Sequence, residues 1–396
     1  ALPEIHDTNR LLNVSKSVPP TAAIDAALDV LAAAKVPVIV AGNGVRISHA
    51  SETLAALADL LGAPVVTSVL GKSAIAETHD MAAGPMGYTG LPLANEIVGM
   101  ADTILVVGCR LKPQDTCFEH PQMFDPNRQR IVQIDIEPRN ASWTIPAEVA
   151  LAGDADETLQ LLLAGLEGRI DTPTASARRK ALTDLKAARK FFADPMLASA
   201  NVPIAPQRLV AEIHAAVPAE AVVCTDAGSN RHWMNHFFQT RRPNSYFGSG
   251  GLGGVSWSLP AALCAKILDP TRPAIGICSD GGFAMQMHVL LTAVQYGANP
   301  VYVVMNNSRL GMTAEGMGNQ SHGNDFPDTD YAAIARACGA WAERIENPAD
   351  IGDALRAGLA QDKPAVIDVI IDRSESMRQA IYSPLAIEAA RGMRPE

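Results

Sequence analysis

Asp280 and Asn307 are the residues around which this sequence can do chemistry. Each closes an apolar run. AIGICSD ends at Asp280, and VYVVMNN ends at Asn307, 27 positions later. The segment between them holds a Gly-Gly step and enough residues for a helix, so the unit reads strand–helix–strand. In a parallel sheet such a crossover brings both strand ends to one edge, where ligands of α/β proteins collect. A carboxylate and a carboxamide oxygen converging there suit a hard divalent cation such as Mg²⁺, which takes its other ligands from water and phosphate. Gly281 and Gly282 allow close approach of the backbone, and a helix beginning near Phe283 is expected to aim its amides at an anion. Cation and phosphate together point to a diphosphate. Taken singly, Asp-Gly-Gly is also a common turn and Asn-Asn a common helix cap. The joint spacing within one strand–helix–strand unit is what favours the ligand.

The elements that must hold these residues alternate between strand-like and helix-like runs, which predicts an α/β fold of two doubly wound parallel-sheet domains joined by a charged helical linker. Residues 1–19 form a lead-in. Residues 20–167 form a Rossmann-like middle domain, with VPVIVAG, APVVTS, DTILVVGC and RIVQIDIE as strands and SETLAALADLLG, LPLANEIVGMA and DETLQLLLAGLEG as helices. Residues 168–203 are charged and Ala-rich and read as a linker with one exposed helix. Residues 204–375 form the second domain, which contains the opening unit, and residues 376–396 a tail or lid.

Composition narrows the function classes. The 396 residues are 48% hydrophobic, 19% charged and only 5% aromatic, with a net charge of −10. That balance argues against nucleic-acid binding and leaves an anionic cofactor to be held locally by metal and backbone amides. The six cysteines form no CxxC pair and several sit in apolar runs, which predicts buried free thiols and a reducing, cytoplasmic location. No secretory leader and no apolar run long enough to span a membrane is visible.

The opening unit resembles the signature of thiamine-diphosphate-dependent enzymes, a Gly-Asp-Gly followed at this distance by Asn-Asn, with Ser279 in place of the first glycine. NNSRLGM is particularly similar to the acetolactate synthase-like branch. The resemblance implies Mg²⁺ held by the side chains of Asp280 and Asn307 and the carbonyl of Arg309, with Leu310, Gly311 and Met312 lining the cofactor. DAGSN (226–230) resembles the diphosphate loop, which makes Gly228, Ser229 and Asn230 expected contacts beside Gly281 and Gly282. GLGGVSWSLPAAL (251–263) resembles the loop under the aminopyrimidine ring. There the Gly253 carbonyl is expected to accept from the 4′-amino group, and Val255 to wedge the cofactor into its bent form. AGNGVR, GKSAI, GPMGYTG, VVGCRL and IDIEP resemble the family's middle domain, which holds FAD or ADP in some branches, in stretches that here contain Arg110 and Asp135.

The resemblance also implies a pyrimidine-binding domain ahead of these two, bearing a glutamate that activates the cofactor. The chain starts at ALPEI, which resembles that domain's last strand. The expectation is therefore a separate pyrimidine-binding subunit in a hetero-oligomer, with a fragment that has lost that domain as the alternative, and a lyase or transferase acting beside the carbonyl of a small substrate. Decarboxylation of a 2-oxo acid, acyloin or 2-hydroxyacyl cleavage and acetolactate-type carboligation all fit. Gly316 stands where acetolactate synthases carry a Trp, and His288 and Val289 where a Gln-Glu pair is common. Both departures count against acetolactate synthesis itself. His288 is a candidate acid or base, with core or interface packing as the plainer role. His232 and His236, four apart, are expected to pack rather than bind metal. The alternatives from other classes are a nucleotide- or flavin-binding module, for which Gly42 and Gly44 are present but Ile47 replaces the third glycine, and a non-catalytic structural subunit.

Overall fold

The computed structural model describes residues 15–392. The ALPEI stretch expected to continue a preceding domain lies outside them. Two six-stranded, all-parallel sheets organise the chain. The first contains β1 (Pro37–Ala41), β2 (Val65–Thr67), β3 (Ala82–Pro85), β4 (Thr103–Val107), β5 (Arg130–Asp135) and β6 (Val149–Ala152), in the order β3-β2-β1-β4-β5-β6. The second contains β7 (Val222–Thr225), β8 (Tyr246–Gly248), β9 (Ala274–Ser279), β10 (Val301–Asn306), β11 (Trp341–Ile345) and β12 (Ala365–Ile370), in the order β11-β12-β10-β9-β7-β8. Both are doubly wound. Their central strands are the continuous apolar runs of the sequence, and β1, β4 and β10 are buried along their whole length, as helices on both faces require.

Edge strands were the harder part to read. The unbroken apolar run that marks a buried strand is missing at β3 (AAGP) and β8 (YFG), which are short and carry turn-forming glycine or proline. Proline is tolerated at such edges because no neighbouring strand needs its N–H.

The segment between the sheets is less independent than a linker. Its helix, Thr172–Ala188, is capped by Asp171, which accepts from the Thr174 amide at 2.7 Å. Ala175 and Leu182 are buried. Arg178 donates to the carbonyls of Leu61 and Ala34, and Lys186 to that of Asp80. The charge that suggested an exposed helix is thus partly what docks it, because long basic side chains cap the carbonyl ends of the first unit's elements.

The two halves meet through buried polar contacts. Lys72 pairs with both Glu77 oxygens at 2.7 Å, and Glu77 accepts in turn from the amide and hydroxyl of Thr240. Arg46 stacks 4.2 Å from the Phe247 ring centroid. At the C-terminal end, the helices Met377–Ala380 and Pro384–Gly392 return to the first half, where the Ser383 amide donates to Tyr88 and Tyr382 packs edge-on against its ring. All six cysteines are free. Cys109, Cys117, Cys224 and Cys278 are buried, but Cys264 is exposed, on the helix Ser258–Leu268.

Candidate functional site

β9 and β10 are neighbours in the sheet, with Ser279 paired to Met305, so Asp280 and Asn307 emerge side by side at one edge. The Asp280 carboxylate is buried. Its Oδ1 accepts from the Gly281 amide at 2.7 Å, and its Oδ2 from the amides of Arg309 at 3.1 Å and Asn307 at 3.3 Å. Burial pushes the carboxyl above its ordinary range, and these N–H groups pull it back. One carboxylate therefore clasps the loop that carries the other expected ligands. The first Asn of the pair does something else. Asn306 donates to Asp368 at 2.9 Å beneath the sheet edge, and burial pushes Asp368 up to about 6.

The helix after β9 differs from expectation. It begins at Asp280 rather than near Phe283, runs only to Gln286, and a second helix follows at Val289–Gln295. Its first amides are already engaged: Ser279 Oγ accepts from Gly282 at 3.2 Å and Asp280 from Gly281. The expected display of free amides is absent because two side chains cap the turn locally.

Nine expected residues line one cavity of about 500 Å³: Gly228, Ser229, Asn230, Val255, Asn307, Arg309, Leu310, Gly311 and Met312. Gly228 turns the chain from β7 into the helix Ser229–Phe237 at φ +117°, a conformation that suits glycine. Gly311 sits so close to its neighbours that a Cβ there would lie 3.1 Å from Asn307 Nδ2 and 3.4 Å from Ser229 Oγ. Hence the diphosphate-like loop and the Asn-Asn loop, 80 residues apart in the chain, share one wall. Asn230 Oδ1 is buried with no hydrogen-bond partner among the described residues. Such an atom calls for a donor from a ligand or water. Among the described residues no three His, Cys, Asp or Glu side chains group around one point. A cation here would depend on Asp280 together with carboxamide and carbonyl oxygens.

Five expected site residues lie off this wall. Asp280, Gly281 and Gly282 are buried, and Asp280 reaches the cavity only through the loop it clasps. Gly253 opens instead on a second cavity of about 400 Å³, with Tyr88, Arg110, Lys112 and Arg231. His288 is exposed between the two short helices and lines neither cavity. In the other direction, Asp372–Met377 forms a wall that the sequence did not reveal, tied down where Glu315 accepts from the Arg378 amide and the Ser376 hydroxyl. No motif marks that wall; it follows from where β12 (Ala365–Ile370), the neighbour of β10, ends.

Of the middle unit's candidate nucleotide residues, Arg110 lines the second cavity, while Gly42, Gly44 and Asp135 are engaged internally. A Cβ on Gly42 would lie 2.1 Å from the Gly108 carbonyl, and one on Gly44 2.6 Å from Gly108 Cα. These glycines let the loops after β1 and β4 pack on each other at the switch point of the sheet. Asp135 accepts from the Glu137 amide and the Asn140 side chain.

His232 and His236, for which surface or interface packing is the sequence expectation, are both buried against the loop of Tyr88 and Thr89. His232 Nε2 lies 3.0 Å from the Tyr88 hydroxyl and Nδ1 3.0 Å from Thr89 Oγ1, while His236 Nδ1 faces the Thr89 carbonyl. Burial pushes His232 down to about 3, helped by Arg231, and His236 down to about 4. Both values lie below the ordinary histidine value, so on acidification the unfolded chain takes up protons first. The contribution of each ring is complete above about pH 6.5 and falls by about 1.4 kcal/mol per pH unit as pH drops toward the folded value. Urea denaturation between pH 7.5 and 5 should show this slope, and His232→Gln should make it shallower by about one histidine's share.

The chain has marked similarity to known proteins. The profile of "Thiamine pyrophosphate enzyme, central domain" matches residues 24–162, and that of "Thiamine pyrophosphate enzyme, C-terminal TPP binding domain" matches residues 226–369. A probable acetolactate synthase large subunit from Methanococcus aeolicus is 31% identical over 369 residues, covering 89% of this chain and 61% of that protein. A sulfoacetaldehyde acetyltransferase from Castellaniella defragrans is 28% identical over 392 residues, covering 92% and 66%. A probable 2-ketoarginine decarboxylase from Pseudomonas aeruginosa is 31% identical over 379 residues, covering 93% and 64%. The chain thus spans less than two thirds of the length of each of these relatives.

Proposed function

The chain belongs to the thiamine pyrophosphate enzyme family, sharing its central and C-terminal TPP-binding domains, and from that premise we propose that it holds the Mg²⁺–diphosphate end of thiamine diphosphate in an enzyme that cleaves or forms a C–C bond beside a carbonyl. The observation that carries this reading is the clasp at the tips of β9 and β10, where Asp280 grips the Asn307–Arg309 loop. The residues present fit the group. Asp280, the Asn307 carboxamide and the Arg309 carbonyl offer the hard oxygen set that Mg²⁺ takes. Ser229 and Asn230 start a nine-residue helix beside the diphosphate end; the Ser229 hydroxyl would donate to the diphosphate, while the unpartnered buried Asn230 Oδ1 can only accept and would take a donor such as bound water. Val255 would press on the cofactor from the cavity wall, and Leu310–Met312 would exclude water along its length. When bound, thiamine diphosphate supplies the carbanion chemistry; the protein contributes orientation and electrostatics.

A residue beside that wall bears on which bond is handled. Gly316 ends the helix Gly311–Gly316 with nothing within 4 Å of where its side chain would be. No aromatic group stands there to select a second keto acid, which favours cleavage or decarboxylation over acetolactate formation. Leu252 is fully exposed and Val255 half-exposed on the ring side of the site, an apolar face that further protein would cover. We place the activating glutamate on that further protein, whether a preceding segment or a separate pyrimidine-binding subunit.

Calorimetric titration of the native assembly with thiamine diphosphate tests the proposal. Saturable binding that requires Mg²⁺ is the expected result; its absence rejects the reading.

A further inference from the structure

We propose that Asp226 is a positioning residue that locks the loop beneath the cofactor's ring to the loop beside its diphosphate, and so sets the separation of the two ends of the bound molecule. The inference rests on the functional reading above.

Asp226 follows β7 directly and is fully buried. Its carboxylate accepts from the three sides that matter. Oδ1 takes the amides of Ala227, at 2.8 Å, and Trp257, at 2.9 Å; Oδ2 takes the amide of Ser256 at 2.8 Å. Ala227 leads into the Gly228–Asn230 turn, and Ser256 and Trp257 immediately follow Val255. One side chain therefore joins the diphosphate loop to the glycine-rich loop.

The same point reaches the metal loop. Ser256 Oγ donates to the Gly282 carbonyl at 2.5 Å, and a Cβ on Gly282 would lie 2.4 Å from Asp226 Oδ2. Gly282 is thus glycine because the Asp226 carboxylate occupies the space a side chain would need. Ser256 holds this bond with φ at +72°, a strained conformation for a residue with a Cβ, and such strain persists only where its surroundings over-determine it. Here they do: its amide and its hydroxyl are both bound, one by Asp226 and one by Gly282.

A carboxylate suits the task because all its lone pairs accept. Burial raises the Asp226 carboxyl, and the amides of Ser256, Ala227 and Trp257 draw it back down. An Asn in its place offers one oxygen and one NH₂, so either Ser256 or Trp257 would meet a donor facing its own N–H. The glycine-rich loop would then lose its fixed distance from the diphosphate loop without losing its composition.

The test compares two probes, Mg²⁺–pyrophosphate, which fills the diphosphate end alone, and Mg²⁺–thiamine diphosphate, which also needs the ring loop. Isothermal titration on the native assembly should show Asp226→Asn weakening thiamine diphosphate about tenfold or more and pyrophosphate less than about threefold. Ser256→Gly, which relieves the positive φ and removes only the bond to Gly282, should shift the ratio of the two affinities in the same direction by a smaller factor. A role confined to general stability would weaken both probes alike. Equal loss for both, or an unchanged ratio in a folded Asp226→Asn protein, overturns the inference. If Asp226→Asn does not fold, an unchanged ratio in Ser256→Gly overturns it. A wild-type protein that binds neither probe overturns the functional reading itself, which separates that failure from this one.

Discussion

Asp280→Ala is expected to abolish Mg²⁺-dependent thiamine diphosphate binding, weakening it at least about 100-fold, or about 3 kcal/mol, while the protein stays folded. Two losses combine. The substitution removes the one carboxylate at the β9–β10 edge, and it frees the amides of Gly281, Asn307 and Arg309 that the carboxylate holds. The loop bearing the remaining expected ligands then has no anchor to the adjacent strand. Folding should suffer less than binding. Burial already raises the Asp280 carboxyl, so desolvation of the charge offsets part of what its hydrogen bonds contribute. Asp280→Asn, which keeps the shape and loses the charge, should fall between wild type and alanine. Titration with and without Mg²⁺ reads the affinity, and thermal unfolding reads the fold. An Asp280→Ala protein that binds the cofactor with wild-type affinity would refute the assignment of the metal end.

The second large effect concerns the joint between the halves. Lys72 and Glu77 are both completely buried, and Lys72 also lies over the rings of Phe192 and Tyr246. Removing one partner leaves a bare charge in a dry site. Lys72→Met is therefore expected to cost about 3–5 kcal/mol, as is Glu77→Leu, which also strands the Thr240 amide and hydroxyl. Burial pushes the Lys72 ammonium below its ordinary value, so in Glu77→Leu the lysine should shed its proton and recover part of the loss. The double replacement Lys72→Met with Glu77→Leu should be markedly more stable than the sum of the single changes, because neither charge is left behind. Denaturant titration of the four proteins measures the coupling directly. Additive losses would show that the pair does not couple the two halves.

Long central strands were legible in the sequence because burial on both faces demands unbroken apolar runs, and the runs at β1, β4, β9 and β10 meet that demand. The convergence of side chains at the β9–β10 edge was legible for a related reason. A crossover must return both strand ends to one side, so the spacing of Asp280 and Asn307 already implied their convergence. Glycine positions in DAGSN and GLGGV likewise marked where backbone had to turn or come close. What could not be read was whatever depends on partners distant in the chain. Residues 372–377 carry no motif and line the cavity because β12 is placed beside β10 and ends at the same edge. Gly253 and Val255, two positions apart, open on different cavities, a distinction set by the turn of the loop. Asp226 was visible as part of a motif but not as the carboxylate on which Ser256, Trp257 and Gly282 converge. Nor did the charges of residues 168–203 reveal that they dock the helix Thr172–Ala188 onto the first unit. Strand and helix periodicity is encoded within a few neighbouring residues, so the sequence by itself determined the two parallel-sheet units and the shared edge at which Asp280 and Asn307 emerge. Hydrogen bonds and close contacts between segments tens of residues apart have no such local signal, and only the tertiary structure decided which side chains share a wall, which are already engaged, and which carboxylate ties the loops together.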